Sequence, residues 1–527
     1  MQRRATSCDV IHFPRGVRTR PGTGTLDSVE TSNSPIHVDV AIVGAGPAGA
    51  SAATLLARAG RSVLLIDKAT FPRDKCCGDG LTAGALRRLE SLGLDPARVP
   101  SWEWVNDVML VGPKGRQIEF PLPRAQGHFS AVASRSDLDA ALVDLAVSAG
   151  AIPRFGVSVT AAVQNRSSVV LTLGDTLVSA QHVLAADGMW SPMRKFLSTS
   201  TVSAGLSAGS SISGPTVSSQ FATDSDLVES DSQVSASTGT SSVRAVAQAP
   251  YLGEWHAMRQ YYRNVQTADS RKLWIWFEPD IIPGYVWCFP LADGRVNLGF
   301  GIERNAKVKT KTMKAMWASL ADRPHIRAVL GPDAVAEDEV KAWPIPADIA
   351  HATLSDGRVL FIGDAARACD VLTGEGIGQA IQTGSYAAEA ILSADSRGGS
   401  LSSVGTTLEP KVVTNNPLVQ AHPTIGLPSP LPHPTKLDDA TIAAISAHYE
   451  QAVRSHLGPD HAMASTLQRM MRSKAICRGS LAISGSTNWT RTNFARWLFE
   501  DYARGIALTP RRWKRGLMSG PGAYLNR

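Results

Sequence analysis

The 527-residue sequence contains no uninterrupted apolar run of the ~18 residues that a membrane-crossing helix needs, so no transmembrane span is expected. Its six cysteines, Cys8, Cys76, Cys77, Cys288, Cys369 and Cys477, are scattered without a C-x-x-C pair. That spacing argues against a disulfide framework and favours a reducing compartment. No H-E-x-x-H occurs, and His456 and His461 stand five apart, so no metal site is expected. Basic residues exceed acidic ones only modestly, 53 against 46, and no zinc-finger, helix-turn-helix or RNA-binding signature is present. Nucleic acid is therefore not an expected partner. Arg3 and Arg4 are not followed by an apolar segment, which excludes a secretory signal and leaves the cytoplasm as the default location.

Hydrophobic residues at 43% and charged residues at 19% fit a globular chain. Its length calls for two or more lobes. Residues 1–36 are rich in Arg, Thr, Ser, Gly and Pro and predict a disordered leader. A transit peptide shares that composition, although Asp9, Asp27 and Glu30 count against one. Residues 196–243 and 395–437 have neither strand nor helix periodicity and predict flexible insertions. From Asp438 the chain becomes helical, as in TIAAISAHYEQAVRSHL. It closes on a basic-aromatic tail, where Arg511, Arg512, Trp513, Lys514 and Arg515 suit either anionic lipid or plain solvent.

The first ordered stretch, VDVAIVGAGPAGASAATLLARAG, reads as strand, glycine turn and helix, and SVLLID supplies a second strand. Within it Gly44, Gly46, Pro47, Ala48 and Gly49 make a GxGxxG-type turn. Such a turn lets backbone approach a pyrophosphate at a helix N-terminus. Asp67, with Lys68 beside it, ends the second strand where a ribose hydroxyl would be bound. Two later stretches, HVLAADGMWSPMRK with Asp187 and GRVLFIGDAARACDVLTGEGIGQAI with Gly363, Asp364, Gly374, Gly376 and Ile377, follow in order. With Arg135 and Asp139 of SRSDLDAALVDLAVSAGA, they match FAD-binding proteins of the two-domain flavoprotein-hydroxylase type. In that resemblance Asp364 binds the ribityl chain or pyrophosphate. The helix after Gly376 turns its positive end to the flavin, where it stabilises the anionic reduced ring.

PRDKCCGDGL resembles the PRDKxCGDGL signature of the geranylgeranyl reductase family. Tyr285, Trp287, Phe289 and Pro290 match that family's YxWxFP. The resemblance runs from about Val38 to Gly378. The sequence departs from the family pattern at Val371, where many relatives have proline, and at Leu291, where a basic residue is common. The resemblance implies reduction of isolated C=C bonds in prenyl chains by reduced FAD. NAD(P)H or another external donor would supply the electrons, and the substrate would be an isoprenoid lipid or a quinone such as menaquinone. The place of action would be the cytoplasm or the inner membrane face. Such chemistry needs an acid in a dry pocket. Cys77, at the family's CG position, is the candidate catalytic thiol; packing at a tight turn is the alternative, and Cys76 is expected to be a bystander. Tyr285, Trp287 and Phe289 alternate onto one strand face and are candidates, with Pro290, for the prenyl wall, whereas Trp274 and Trp276 suit a core.

The expected fold is α/β: a Rossmann-like FAD-binding domain (37–110, 130–195 and 351–394) interleaved with an α+β substrate domain. The substrate domain (111–129 and 244–350) would contain an antiparallel sheet, and a helical region (438–527) would follow. Two other functions remain open on this scaffold. A flavin monooxygenase or halogenase is one, although the WxWxIP stretch of the latter is only echoed by WIWFEP. A non-catalytic prenyl-binding escort is the other.

Overall fold

In the computed structural model, which describes residues 35–124, 126–197, 251–265, 267–304, 310–395, 437–499 and 520–525, the apolar runs become the middle of a parallel sheet. The expected leader, both Ser/Thr-rich insertions and the basic tail lie outside the described residues, apart from their margins. Ile36–Val43 pairs in parallel with Val63–Asp67 on one side and Thr176–Ala185 on the other. Val359–Phe361 and Ile152–Phe155 extend the sheet outward, again in parallel. Strands buried on both faces carry continuous apolar sequence rather than alternation, which is why VLLID reads apolar at nearly every position.

The register sets the site. Val43 stands beside Ile66 and Ala185, and Ala185 beside Phe361, so four strands end at one edge. The glycine turn, Asp67, Ala186–Gly188 and Gly363–Asp364 are thereby gathered where open α/β sheets bind ligands. Helices Pro47–Arg58 and Ile377–Asp395 cross closely on one face, because a Cβ at Gly384 would stand 2.3 Å from the Ala48 carbonyl oxygen.

A second, mostly antiparallel sheet runs in the order Val335–Ala336, Trp255–Arg263, Val296–Glu303, Tyr285–Pro290, Leu273–Trp276, Asp107–Val111, Gln117–Pro121. The expected boundary between residues 110 and 111 cuts the Asp107–Val111 strand. That strand belongs with the second sheet, because it pairs along its length with Gln117–Pro121 and Leu273–Trp276. Trp274 and Trp276 are buried and stacked at 5.3 Å in the core of this sheet, as their sequence context suggests. Gly80–Thr82, directly after the paired cysteines, joins a three-stranded sheet with Ser130–Val132 and Glu103–Trp104. Three helices follow, Asp439–Met471, Lys474–Ser484 and Asn488–Phe499. The first is anchored to the nucleotide side by the Tyr449 hydroxyl, which donates to the Phe361 carbonyl at 2.5 Å.

Candidate active site

The glycine turn is built by close approach. Gly44 has φ +104°, and a Cβ there would meet the Ala186 carbonyl oxygen at 2.2 Å; a Cβ at Gly49 would meet the Gly44 oxygen at 1.9 Å. Gly46 is different, because its missing Cβ faces space bordered by guanidinium nitrogens of Arg73 and Arg135 at 3.6 and 3.7 Å. Gly46 also caps the Pro47–Arg58 helix, whose first turn has no side-chain cap. Two cations and a bare helix N-terminus around an open position fit a pyrophosphate. Arg135 is held in place by a two-pronged contact to Asp139, 2.7 Å at each nitrogen, and Asp139 also accepts from Arg73 at 2.9 Å.

Asp67 stands at the strand end as expected, but its carboxylate is already engaged. Oδ2 accepts from the Ala45 N–H at 2.8 Å and Oδ1 from the Ala69 N–H at 2.9 Å, so it braces the turn. Lys68 points outward and is exposed, because alternation at the strand end turns it away from Asp67. Asp187 caps a short turn by accepting from the Met193 N–H at 2.9 Å, and burial first of all pushes its carboxyl up to about 6. Its neighbours Ala186 and Gly188, on either side, border the cavity.

That cavity, about 350 Å³, begins at Gly46, Pro47 and Ala48 and runs past Gly363, Asp364, Gly374, Gly376 and Ile377. Burial pushes the Asp364 carboxyl up, but the Lys75 ammonium at 3.0 Å, together with Arg135, outweighs this and holds it below the usual carboxylate range. Lys75 belongs to the PRDKCC loop, so this ion pair fastens the loop to the nucleotide side. The same loop is fastened to the second sheet through Asp74, which pairs with the fully buried Arg259 at 2.6 Å. At the Gly374–Ile377 turn the Glu375 carboxylate accepts from the Gly378 N–H at 2.7 Å.

Both cysteines border the cavity. Cys76, expected to be a bystander, donates its thiol to the Lys341 carbonyl at 3.5 Å, and burial pushes it up to about 12. Cys77 Sγ accepts from the Asp79 N–H at 3.4 Å, and the Arg135 charge acts on it. Burial, helped by the Asp79 carboxyl, raises the Cys77 thiol above its ordinary value, against the pull of Arg135.

Asp79, which sequence reasoning passed over, is fully buried at the cavity edge in a left-handed conformation, φ 64°. Its Oδ2 accepts from the Tyr261 hydroxyl at 2.5 Å and the Asn297 amide at 2.7 Å. Burial pushes its carboxyl up to about 6, against those hydrogen bonds and the Arg259 and Arg135 charges. Asn297 also donates to the Cys77 carbonyl at 2.8 Å. Tyr261 and Asn297 sit on strands of the second sheet, with no motif to mark them. Asp79 was in view inside CGDGL, where an acid between two glycines is itself a signal.

Tyr285, Trp287 and Phe289 all face the cavity, with successive rings 6.0 and 6.3 Å apart. Trp287 rests on Gly78 and Phe289 on Gly80, where added Cβ atoms would stand 3.5 and 3.1 Å from the rings. Pro290, expected on the same wall, lies off it, because strand alternation turns it to the face opposite Phe289. The far wall comes from the C-terminal helices, through Leu467, Leu481, Phe494, Trp497 and Leu498, which no motif announced.

Residues 37–400 match the family described as FAD binding domain. The chain belongs to that family. Its cofactor is FAD, and the turn at Gly46 with its two guanidinium groups fits the pyrophosphate. Among curated relatives, this FAD-binding protein is 32% identical over 390 residues to menaquinone reductase of Mycobacterium tuberculosis, covering 68% of this chain and 77% of that one. It is 27% identical over 365 residues to digeranylgeranylglycerophospholipid reductase 2 of Methanopyrus kandleri, covering 67% and 76% respectively. Among solved structures, a geranylgeranyl bacteriochlorophyll reductase-like protein of Thermoplasma acidophilum superposes with a TM-score of 0.60. At 17% identity, over 90% of this chain and 99% of that one, this likeness speaks for the fold.

Proposed function

We propose that this FAD-binding protein reduces isolated C=C bonds in a polyprenyl chain, either the side chain of menaquinone or a geranylgeranyl lipid. One observation carries the reading: the glycine turn, the Cys77–Gly80 turn and a long apolar wall border a single cavity. An apolar chain lying between aromatic rings and the C-terminal helices would bring its double bonds to Cys77. The relatives' names, menaquinone reductase and digeranylgeranylglycerophospholipid reductase, support this substrate class.

Gly46, Ala48, Arg73 and Arg135 would hold the pyrophosphate, and Asp364 with the Gly374–Ile377 turn the remainder of the cofactor. Bound and reduced, FAD supplies a hydride equivalent. The Cys77 thiol gives a proton to the other alkene carbon, and the Arg135 guanidinium and Asp79 N–H stabilise the thiolate that results. Tyr285, Trp287 and Phe289 exclude water around the alkene. NAD(P)H or another external donor would supply the electrons.

A lipid substrate calls for contact with a bilayer. Among the described residues no helix is long and apolar enough to cross a membrane. Ile483 and Trp489, 72% and 73% exposed, stand on or beside the helices that wall the cavity. Residues 461–499 contain no Asp or Glu but six Lys or Arg, which suits an anionic lipid surface.

The test of the reaction is anaerobic incubation of the FAD-loaded protein with NADPH or dithionite and menaquinone. Mass spectrometry should find the quinone with two extra hydrogens per reduced isoprene unit. Product that forms only with oxygen, and carries no saturated unit, would overturn the reading.

A further inference from the structure

The Cys77–Gly80 turn carries a second acid whose position the proposed chemistry has not used. Asp79 is fully buried, and its two carboxyl oxygens are in unlike settings. Oδ2 takes both available donors, the Tyr261 hydroxyl and the Asn297 amide. Among the described residues Oδ1 is buried without a hydrogen-bond partner. A carboxyl oxygen that already accepts two hydrogen bonds is the poorer place for a proton, so the acidic hydrogen of Asp79 belongs on Oδ1. No acceptor among the described residues meets it there. Cys77 stands two residues back in the same turn; its sulfur accepts from the Asp79 backbone N–H at 3.4 Å, and the Asp79 charge acts on its thiol.

Every donation by the Cys77 thiol leaves a thiolate in a cavity that excludes water, and a thiolate cannot protonate the next double bond. We infer that Asp79 returns a proton to Cys77 after each reduction, so that the turn works as a two-group proton relay. This rests on the proposed role of Cys77. The balance is simple. The S–H bond of Cys77 breaks as a C–H bond forms on one alkene carbon, and the other carbon takes the hydride from the reduced cofactor. The O–H bond of Asp79 then breaks as S–H re-forms, and the Asp79 carboxylate is reprotonated from solvent when product leaves.

The surroundings suit such a relay. Arg135 from the Arg135–Ser148 helix, and Arg259 and Tyr261 from the Trp255–Arg263 strand, are the charged or titratable groups that act on the carboxyl from packed elements, with Asn297 as the neutral donor. Burial outweighs them and keeps the carboxyl titrating at about 6, well below the thiol, so transfer from Asp79 to thiolate runs downhill. The left-handed conformation at Asp79 is one that a side-chain-bearing residue rarely adopts. Asp79 belongs to the same turn as Cys77, whose thiol feels its charge.

The experiment uses the full-length FAD-loaded protein in a Cys76→Ser background, with iodoacetamide as a probe of Cys77, read by peptide mass spectrometry, and menaquinone as substrate. Asp79→Asn removes the carboxylate that repels the thiolate. The pH midpoint of Cys77 alkylation should fall by roughly one unit. Turnover should fall ~10²-fold at unchanged KM, and the decline of kcat above about pH 6 should disappear. An alkylation midpoint and a pH limb that both match the parent would overturn the relay and leave Asp79 as a brace for the turn. Should Asp79→Asn fail to fold or lose FAD, Tyr261→Phe decides. It keeps the carboxyl but removes one donor to Oδ2, so the limb should move to higher pH, and an unmoved limb would overturn the relay. Parent-like turnover of Cys77→Ser would instead sink the thiol's own role.

Discussion

The Trp287 indole N–H donates to the Asn297 side-chain oxygen at 2.9 Å, and the amide nitrogen of the same Asn297 donates to Asp79 and to the Cys77 carbonyl. One side chain thus couples the aromatic wall to the turn that carries the acid. Asn297→Leu would leave a buried indole N–H, a carbonyl and a carboxylate each short of a partner. We expect a loss of about 1–3 kcal/mol in stability, with FAD retained and turnover reduced. Thermal melts, flavin absorbance and product formation on one preparation check this together.

At the glycine turn, neighbouring positions should fail differently. Gly46→Val projects into open space beside Arg73 and Arg135, so the protein should fold but purify without its yellow cofactor. Gly44→Ala meets backbone at 2.2 Å from a positive-φ position and should fail to fold. Normal flavin content in Gly46→Val would remove this turn from the cofactor site.

Cys77→Ser and Cys76→Ser make the same small change one residue apart. The first should keep FAD and lose on the order of 10²–10⁴-fold in turnover, the contribution typical of a general acid. The second should be close to neutral, because Cys76 gives its hydrogen to Lys341 and serine can do the same. Equal, minor effects would make Cys77 a packing residue.

His182, buried in the Thr176–Ala185 strand, has no hydrogen-bond partner on either ring nitrogen among the described residues. Burial, helped by Arg358 and Arg61, pushes it down to about 4. The unfolded chain therefore binds a proton between about pH 6.5 and 4 that the folded chain refuses, so this residue removes stability as pH falls through that window. The loss is of order 3 kcal/mol, and the upward shifts of Asp79 and Asp187 act in the opposite direction and together exceed it over the same window. Relative to the parent, His182→Leu should gain melting temperature progressively as pH falls from 6.5 to 4.

The proposed lipid contact predicts co-sedimentation with vesicles rich in phosphatidylglycerol and little with phosphatidylcholine alone. Ile483→Asp with Trp489→Asp should abolish it while leaving FAD binding intact. Binding that survives the double change would place the membrane contact elsewhere.

What could be read in sequence was what neighbours in sequence decide. Val38–Val43, the glycine turn and the helix after it follow from apolar runs and small residues within about twenty positions, and the Tyr285–Phe289 alternation is likewise local. Asp67 was located but not explained, because whether a strand-end acid faces a ribose or its own backbone depends on how the Gly44–Gly46 turn folds over it. Asp79, Tyr261 and Asn297 lie 182 and 218 residues apart along the chain and meet only because the second sheet packs its strands against the cysteine turn. The wall from the C-terminal helices arises the same way. The nucleotide-binding half and the kind of cofactor were legible along the chain, since these depend on short-range backbone conformation. Only the tertiary structure decided which acid stands beside Cys77, because the burial and hydrogen-bond partners that tune a carboxyl come from strands with no sequence relation to it.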